Sequence, residues 1–111
     1  MAWLYGVTIA ATDVRPMAAF YQRVFNAGLR ERQVGAFALF VGDFAGVRLT
    51  LCPKALAGID ATQNIHQLTI AVADVEATIA LAEQHGGSAL GESAVRDPDG
   101  NSIELIGTSE A

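Results

Sequence analysis

An internal repeat limits the possible folds of this chain more than any other feature of its sequence. The segment VTIAATDV, residues 7–14, recurs 61 positions later as LTIAVADV, residues 68–75, and five residues coincide. Apolar residues at helical spacing follow both copies. A strand and a helix that occur twice in so short a chain predict one supersecondary unit present in two copies.

Both copies contain the signals of a helix that begins and ends at defined residues. Asp13 and Asp74 stand where an N-cap is expected, because a short carboxylate accepts hydrogen bonds from the free N–H groups of a first turn. Pro16 falls within the first turn of the first helix, where a missing N–H is tolerated. Gly28 is expected near the end of that helix, and the sequence HGG, residues 85–87, ends the second.

Short alternating segments after each helix predict strands. We expect three after the first helix, in LRERQV, AFALFV and VRLTLC, and two or three after the second, in SALGESAV and NSIELIG. The turn DPDG precedes the last strand, where Pro98 presets one dihedral angle and Gly100 supplies freedom at the turn's end. The prediction is a single α+β domain, residues 1–111, with module one at 1–52, a linker at 53–64 and module two at 65–111.

Composition excludes several classes of function. The chain has 111 residues, of which 51% are hydrophobic, so a packed core is expected. A mean hydropathy of +0.32 is high for this length and favours a buried interface between copies, that is, a homodimer. The net charge of -5 and the scattered arginines argue against a nucleic-acid surface. The absence of a signal-like start and of a long apolar run predicts a cytoplasmic protein with no membrane partner.

Side chains of a strand alternate between two faces, so the residues of each strand can be sorted by parity. The bulky apolar residues of four strands fall on one face, which we expect to contact the helices: Tyr5, Val7, Ile9, Val47, Leu49, Leu51, Leu68, Ile70, Val72, Ile103 and Leu105. The opposite face carries mostly small or polar residues: Gly6, Thr8, Ala10, Arg48, Thr50, Cys52, Gln67, Thr69, Ala71, Ser102, Glu104 and Ile106. Such a face suits either a ligand cleft or packing against another unit.

With these features the chain resembles the vicinal oxygen chelate superfamily, which includes glyoxalase I, bleomycin-resistance proteins and extradiol dioxygenases. The resemblance rests on VTIAATDVRPMAAFYQRVFNAGL at 7–29, on its echo LTIAVADVEATIALAEQHGG at 68–87 and on RDPDGNSIEL at 96–105. It implies two βαβββ modules whose curved mixed sheets surround a cleft, with helices on the outer faces. The cleft in such proteins is often completed by dimerisation or module exchange.

The resemblance also implies where a metal ion would bind. In metal-dependent members the ligands come from the first and last strands of each module, which here places them at Gly6, Thr50, Gln67 and Glu104. Glu104 keeps the usual carboxylate and Gln67 stands where His is common, whereas the other two offer no comparable donor. A catalytic zinc ion has three protein ligands, so we expect no metal and no other cofactor. His66 would add a donor, but its parity directs it away from the cleft face.

Several single residues have competing interpretations. Glu104 is a metal ligand without partners, a general base, or a carboxylate paired with Arg48 on the same face, and the pairing is favoured. Arg48 can instead hold an anionic or carbonyl-bearing ligand, because its planar fork suits carboxylates. Cys52 has no base nearby to lower its pKa and is expected to be unreactive. Four aromatic residues either line a pocket or belong to the core or an interface: Trp3, Phe37, Phe40 and Phe44.

The main functional hypothesis is a homodimer that binds a small organic ligand in the cleft without a metal, similar to ligand-sequestering proteins of the bleomycin-resistance type. Its polar contacts are expected from Arg48, Thr50, Gln67, Thr69 and Glu104. The alternative is a metal-dependent, glyoxalase- or dioxygenase-like enzyme acting on a substrate with vicinal oxygens. A third is a subunit whose modules serve only assembly. No catalytic residue is identified.

Overall fold

Strands and helices follow one another in the order that the repeat predicts. The computed structural model describes residues 4–58, 64 and 66–109. Its elements are β1 Gly6–Ala11, α1 Val14–Phe25, β2 Gly28–Val34, β3 Phe37–Phe44, β4 Val47–Pro53, α2 Lys54–Ala57, β5 Leu68–Val72, α3 Val75–Gln84, β6 Ser88–Ala89, β7 Ala94–Arg96 and β8 Ser102–Gly107. The α+β class is confirmed. The short helix α2, in the segment predicted as a linker, is an addition to the sequence prediction.

The strands form two four-stranded mixed sheets of identical topology. Sheet one has the order β1-β4-β3-β2 and sheet two the order β5-β8-β7-β6. In each sheet the strand before the long helix pairs in parallel with the last strand of the same copy, and the other pairs are antiparallel. The internal repeat of the sequence is therefore also a repeat of the fold.

The predicted caps of both long helices are confirmed. The Asp13 side chain accepts a hydrogen bond from the backbone N–H of Arg15 at 3.2 Å, and the Asp74 side chain accepts one from that of Ala77 at 3.0 Å. Gly28 lies near the end of α1 as expected, and Asn26, which adopts the left-handed conformation with φ 57°, is the residue that caps the helix. At the end of α3, His85 is the C-cap, in agreement with the prediction from HGG.

One hydrophobic core takes side chains from both copies of the repeat. Met17, Phe20 and Tyr21 of α1 are fully buried, and they belong to one cluster with Ile103 and other residues of sheet two. The ring of Phe20 also lies against the backbone of Gly87, after α3. Burying apolar surface of both copies in one cluster stabilises each copy through the other.

Burial follows the predicted parity in most of the strands, with exceptions at the two ends of sheet one. Tyr5 was expected to contact the helix but is 72% exposed, because it precedes β1 and the buried cluster does not reach it. Ala10 and Cys52, expected on the open face, are buried outside that cluster. The helix α2 packs against β1 and β4, the strands that carry these two residues. The open face of sheet one is therefore open at the Tyr5 end only.

The strand aromatics belong mainly to the core rather than to a pocket. Phe44 is buried, with its ring centroid 5.5 Å from that of Tyr21 and 5.9 Å from that of Phe25. Phe40 packs against the same cluster. The prediction for Trp3 lies outside the described residues. Within the described part of the chain, no helix has the length and apolarity needed to span a membrane.

Candidate functional site

The register of sheet one arranges the side chains of its open face in rows across the strands. Residues paired across neighbouring strands lie side by side on one face of a sheet. One row consists of Gly6, Arg48, Asp43 and Gly28, and the next of Thr8, Thr50, Val41 and Arg30. Arg32 follows Arg30 on the same side of β2, because alternate residues of a strand share a face.

A concave space covers this open face. It has a volume of about 830 Å³, and its lining includes Tyr5 and the arginines Arg30, Arg32 and Arg48. A second hollow of about 340 Å³ shares Tyr5 and Arg48 with the first and extends to Thr50. Together the two spaces form what we call the sheet-one groove. The volume of the larger space is within the range of small-molecule sites.

The three arginines of the groove have their hydrogen-bond donors available. None of the three makes an ion pair or a side-chain hydrogen bond with another described residue. The one ion pair among the described residues joins Arg15 of α1 to Glu31 of β2, with N–O distances of 2.7 and 3.2 Å. Hydrogen bonding to Arg15 lowers the pKa of Glu31, and the same bond raises the pKa of Arg15. Glu31 borders the groove, but its carboxylate is bound by Arg15.

The open face of sheet two carries polar side chains that bind one another. The Nε2 of Gln67 donates to the Oγ of Ser102 at 3.1 Å, and the Oγ1 of Thr69 donates to the Oε1 of Glu104 at 3.4 Å. These bonds confirm that Gln67 and Glu104 share a face, as their parity predicts. Both residues are exposed, so their hydrogen bonds compete with water.

The favoured pairing of Glu104 with Arg48 does not occur within one chain. Arg48 lies on β4 of sheet one and Glu104 on β8 of sheet two, and the two side chains form no ion pair. Equal parity on two strands places residues on one surface only when the strands belong to one sheet. The five predicted ligand-binding residues accordingly fall into two groups, Arg48 with Thr50 on sheet one and the other three on sheet two. The sheet-one groove is lined by the first group and by none of the second.

The orientation of His66 stays a prediction from parity. This exposed residue lines a crevice of about 20 Å³ whose other lining residues include Tyr21 and Ile103 and also Ser102 of the open face. Gln67 does not line that crevice. The space is about that of one probe sphere, so it admits a water molecule but not an organic ligand.

The four positions that the family resemblance assigns to a metal ion do not fit one. Any side chain at Gly6 would place its Cβ 2.6 Å from the backbone oxygen of Arg48, so this position cannot hold a ligand without a shift of the strand. Thr50 offers a hydroxyl, Gln67 an amide and Glu104 a carboxylate. No group of three or more His, Cys, Asp or Glu side chains suited to a metal occurs among the described residues. Two protein donors are fewer than zinc or iron sites use.

The DPDG turn, which carried much of the resemblance, connects the two modules through Asp97. This buried carboxylate accepts a hydrogen bond from the hydroxyl of Tyr21 in α1 at 2.9 Å. It also accepts bonds from the backbone N–H groups of Asp99 and Asn101, both at 3.0 Å, and from Nδ2 of Asn101 at 2.9 Å. Gly100 has φ 88°, in agreement with its predicted role in the turn.

Further bonds extend this connection to β1. The Oδ1 of Asn101 accepts from the backbone N–H of Asn64 at 2.7 Å, and Nδ2 of Asn64 donates to the backbone oxygen of Ala10 at 2.9 Å. Asp99 accepts from the backbone N–H of Thr12 at 2.8 Å. We call Tyr21, Asn64, Asp97, Asp99 and Asn101 the Asp97 network. Its position between the modules indicates a structural role.

Burial determines the acid–base properties of the network and of the single thiol. Desolvation raises the pKa of Asp97 despite the hydrogen bonds that lower it. Burial is also the largest cause that raises the pKa of Tyr21 well above its ordinary value, and the charge of Asp97 adds to it. Burial raises the pKa of the Cys52 thiol, which agrees with the predicted lack of reactivity.

Sequence reasoning did not single out Arg30 and Arg32 as site residues. Their spacing of two within LRERQV places both on one face of β2, which parity alone would have indicated. What the sequence does not show is that this face is the one that carries Arg48, because that depends on the pairing of β2 with β3 and of β3 with β4.

Comparisons with known proteins found one matching family model and several solved structures with a similar fold. A model of the Glyoxalase/Bleomycin resistance protein/Dioxygenase superfamily matches residues 4–105. A glyoxalase-related enzyme from Fulvimarina pelagi has a similar structure, with a TM-score of 0.74 and 18% identity over 98% of this chain and 90% of that one. The fosfomycin resistance protein FosX from Listeria monocytogenes, solved with Mn(II) and sulfate, has a TM-score of 0.75 and 16% identity over 95% and 91%.

A third similar structure is lactoylglutathione lyase from Agrobacterium tumefaciens, with a TM-score of 0.59 and 19% identity over 97% of this chain and 95% of that one. Identities this low indicate a common fold and leave the chemistry open. A comparison with curated proteins found no significant match.

Proposed function

The chain belongs to the Glyoxalase/Bleomycin resistance protein/Dioxygenase superfamily, and from this premise we propose that it binds a small organic molecule without a metal ion. The nearest functional analogy is a ligand-sequestering protein of the bleomycin-resistance type. A cytoplasmic location and the lack of nucleic-acid and membrane partners stay predictions from composition.

The observation that carries this proposal is the sheet-one groove. Its larger space, of about 830 Å³, is enough for an organic molecule, and the guanidinium groups along it form no ion pair or side-chain hydrogen bond with a described residue. The metal positions of the same sheet are a glycine without room for a side chain and a threonine. These residues favour direct recognition of a ligand by side chains over recognition through an ion.

A homodimer would complete the site. The predicted ligand-binding residues lie on two different sheets, Arg48 and Thr50 on one and Gln67, Thr69 and Glu104 on the other. We propose that sheet two of one copy covers the sheet-one groove of its partner, which brings the two groups together. Leu4 and Tyr5 border the groove and are strongly exposed, as expected of apolar residues that a second copy covers.

The alternative, a metal-dependent enzyme, is favoured by one observation. Gln67 and Glu104 share the open face of sheet two and point to the same side of neighbouring strands. These two donors would need at least one more protein ligand, and sheet one does not provide it at Gly6.

Metal analysis of the full chain, purified without chelator, separates the two functions. We expect no ion at one per chain, and no rise of the melting temperature with added Mn²⁺, Ni²⁺ or Zn²⁺. The variants Glu104→Gln and Glu92→Gln, the latter an exposed glutamate outside the open face, serve as a pair. A stoichiometric ion that is lost in Glu104→Gln and kept in Glu92→Gln would overturn the metal-free proposal.

Ligand binding is tested by a thermal-shift screen of organic molecules, with the oligomeric state measured by analytical ultracentrifugation. A ligand that binds the native state raises the melting temperature by mass action. We expect hits and a dimer. A broad screen without any hit would favour a protein that serves assembly, and a monomer at all concentrations would contradict the completed site.

A further inference from the structure

We propose that the ligand of the sheet-one groove is an organic oxyanion: a molecule with an apolar body and a carboxylate or phosphate group held by Arg30, Arg32 and Arg48. This inference rests on the proposed function, since it names the class of ligand for the same groove. Two of these arginines are on β2, outside the positions that the family resemblance assigns to ligands.

The distribution of charge is the first argument. The chain has a net charge of -5, with seven basic residues against twelve acidic ones. Nevertheless, the open face of sheet one carries three arginines and, among the described residues, one carboxylate, Asp43. The charge of this groove is therefore opposite to that of the protein as a whole. A positively charged groove attracts anions locally.

The lack of internal partners is the second argument. Asp43 is paired in register with Arg48, yet the two form no ion pair. Glu31 is already bound by Arg15. Each guanidinium presents five N–H donors in a planar fork that matches a carboxylate or phosphate, and those of the three groove arginines are not used within the described chain.

The spacing of the arginines is the third argument. Arg30 and Arg32 are two residues apart on one strand, roughly 7 Å. Arg48 is two strands away, roughly 10 Å across the sheet, in the row of Gly28, and this row is roughly 7 Å along the strands from Arg30 and roughly 13 Å from Arg32. Val41 lies between Arg30 and Thr50 in the same row, and Tyr5 lines the groove near Arg48. A molecule of modest size can therefore contact these apolar side chains and reach the arginines with its charged group.

The test measures the binding of matched ligand pairs to the full chain by calorimetry. The probes are naphthoate against naphthamide and naphthyl phosphate against naphthol, which separate charge from apolar contact. We expect the anion of each pair to bind about tenfold more tightly than its neutral partner, and this preference to weaken with salt. Arg30→Gln, Arg32→Gln and Arg48→Gln should each weaken anion binding severalfold. Asp43→Asn should strengthen it, because it removes the carboxylate from that face.

Arg23→Gln is the control, because Arg23 is an exposed arginine on α1, away from the groove. Equal binding of anions and neutral partners would overturn the inference while leaving the proposed function intact. Equal losses in Arg23→Gln and in the groove variants would also overturn it, since they would indicate general attraction rather than a site. If no probe binds, the inference fails, and the broad screen described above decides the proposed function separately. Tight binding of an oligonucleotide without binding of the small anions would indicate a nucleic-acid surface instead.

Discussion

The helices α1 and α3 begin at equivalent aspartates of the repeat, but they contribute very differently to the core. Phe20 and Tyr21 of α1 are completely buried, whereas the equivalent positions of α3 are Leu81, which is 37% exposed, and the small residue Ala82. The duplicated element therefore keeps its cap and its topology while the large apolar side chains are concentrated in the first copy. Backbone hydrogen bonding requires only the cap and the topology. The placement of the large side chains depends on the space available for packing.

The turns before the last strands differ in the same manner. The registers of β1 with β4 and of β5 with β8 make Thr50 and Glu104 equivalent, and the pairs Asp43–Arg48 and Arg96–Ser102 then make Asp43 equivalent to Arg96, the neighbour of Asp97. Asp43 is exposed on the open face of sheet one, while Asp97 is 3% exposed and accepts bonds from both modules. The aspartate near this turn thus contributes to a candidate ligand surface in the first copy and to the connection between the copies in the second.

Truncation of the equivalent helix residues Phe20 and Leu81 should give the largest difference in the free energy of unfolding between the two copies. Phe20→Ala removes a fully buried ring and should lower the free energy of unfolding by about 3–5 kcal/mol. Leu81→Ala removes a partly exposed side chain and should lower it by roughly 0.5–1 kcal/mol. Urea denaturation followed by circular dichroism measures both. Similar losses would mean that Leu81 is covered in solution, for example by a second copy of the chain.

Asp43 and Asp97, the aspartates near the turns before the last strands, provide the next contrast. Asp97→Ala leaves the hydroxyl of Tyr21 and the N–H groups of the turn without their acceptor, so a loss of about 3 kcal/mol is expected. Asp43→Ala changes an exposed side chain and should alter stability by less than about 0.5 kcal/mol. Urea denaturation followed by circular dichroism measures both changes in stability. A small effect of Asp97→Ala would show that water replaces the carboxylate and that the network does not hold the modules together.

The raised pKa of Asp97 predicts a pH dependence with a definite sign. Because burial favours the protonated carboxyl in the folded state, its contribution to stability is fully present below the ordinary pKa of an aspartate and is lost as the pH rises through the raised value. The wild-type chain should therefore lose stability relative to Asp97→Asn as the pH rises from about 4, the ordinary pKa of an aspartate, through the raised value. Urea midpoints of both proteins across this range test the sign. A relative gain with rising pH would contradict it.

The smallest effect is expected at the ion pair that only the first copy possesses. Arg15 binds Glu31, whereas the equivalent of Arg15 in the second copy is Glu76. Both members of the pair are on the surface, so Glu31→Gln should change the denaturation midpoint less than any substitution above, and the change should vanish at high salt. Glu83→Gln, on the exposed side of α3, is the matched control. A large, salt-independent effect would mean that the pair fixes α1 on β2.

The fold was predictable because its signals are local. The caps Asp13 and Asp74, the alternation within the strands and the repeat itself all occur within a few residues of one another. Local rules are less informative at the ends of the elements. The cap of α1 is Asn26, two residues before Gly28, since asparagine also tolerates the left-handed conformation. The exposure of Tyr5 depends on where the buried cluster ends, which parity does not state.

The candidate site was less predictable, because it depends on how distant segments meet. Parity placed Arg48 and Glu104 on similar faces, but it did not show that their strands belong to separate sheets. The bond between Tyr21 and Asp97 joins residues 76 positions apart, and neither residue's neighbours indicate it. The signature turn was noticed for its likeness to a family, and its physical role became visible only with the partners that it contacts.

The close approach of β1 to β4 at Gly6 also determines which changes of this protein are accessible in single steps. A side chain at this position would meet the backbone of Arg48 before it could reach any ion or ligand. Neither mutation in nature nor design at the bench can therefore add a histidine here and leave the sheet as it is. The distance between β1 and β4 would have to increase first. The distance between these strands therefore prevents a metal ligand at the first position that the family resemblance assigns. Substitutions that change the groove without moving the sheet are expected at its arginines instead.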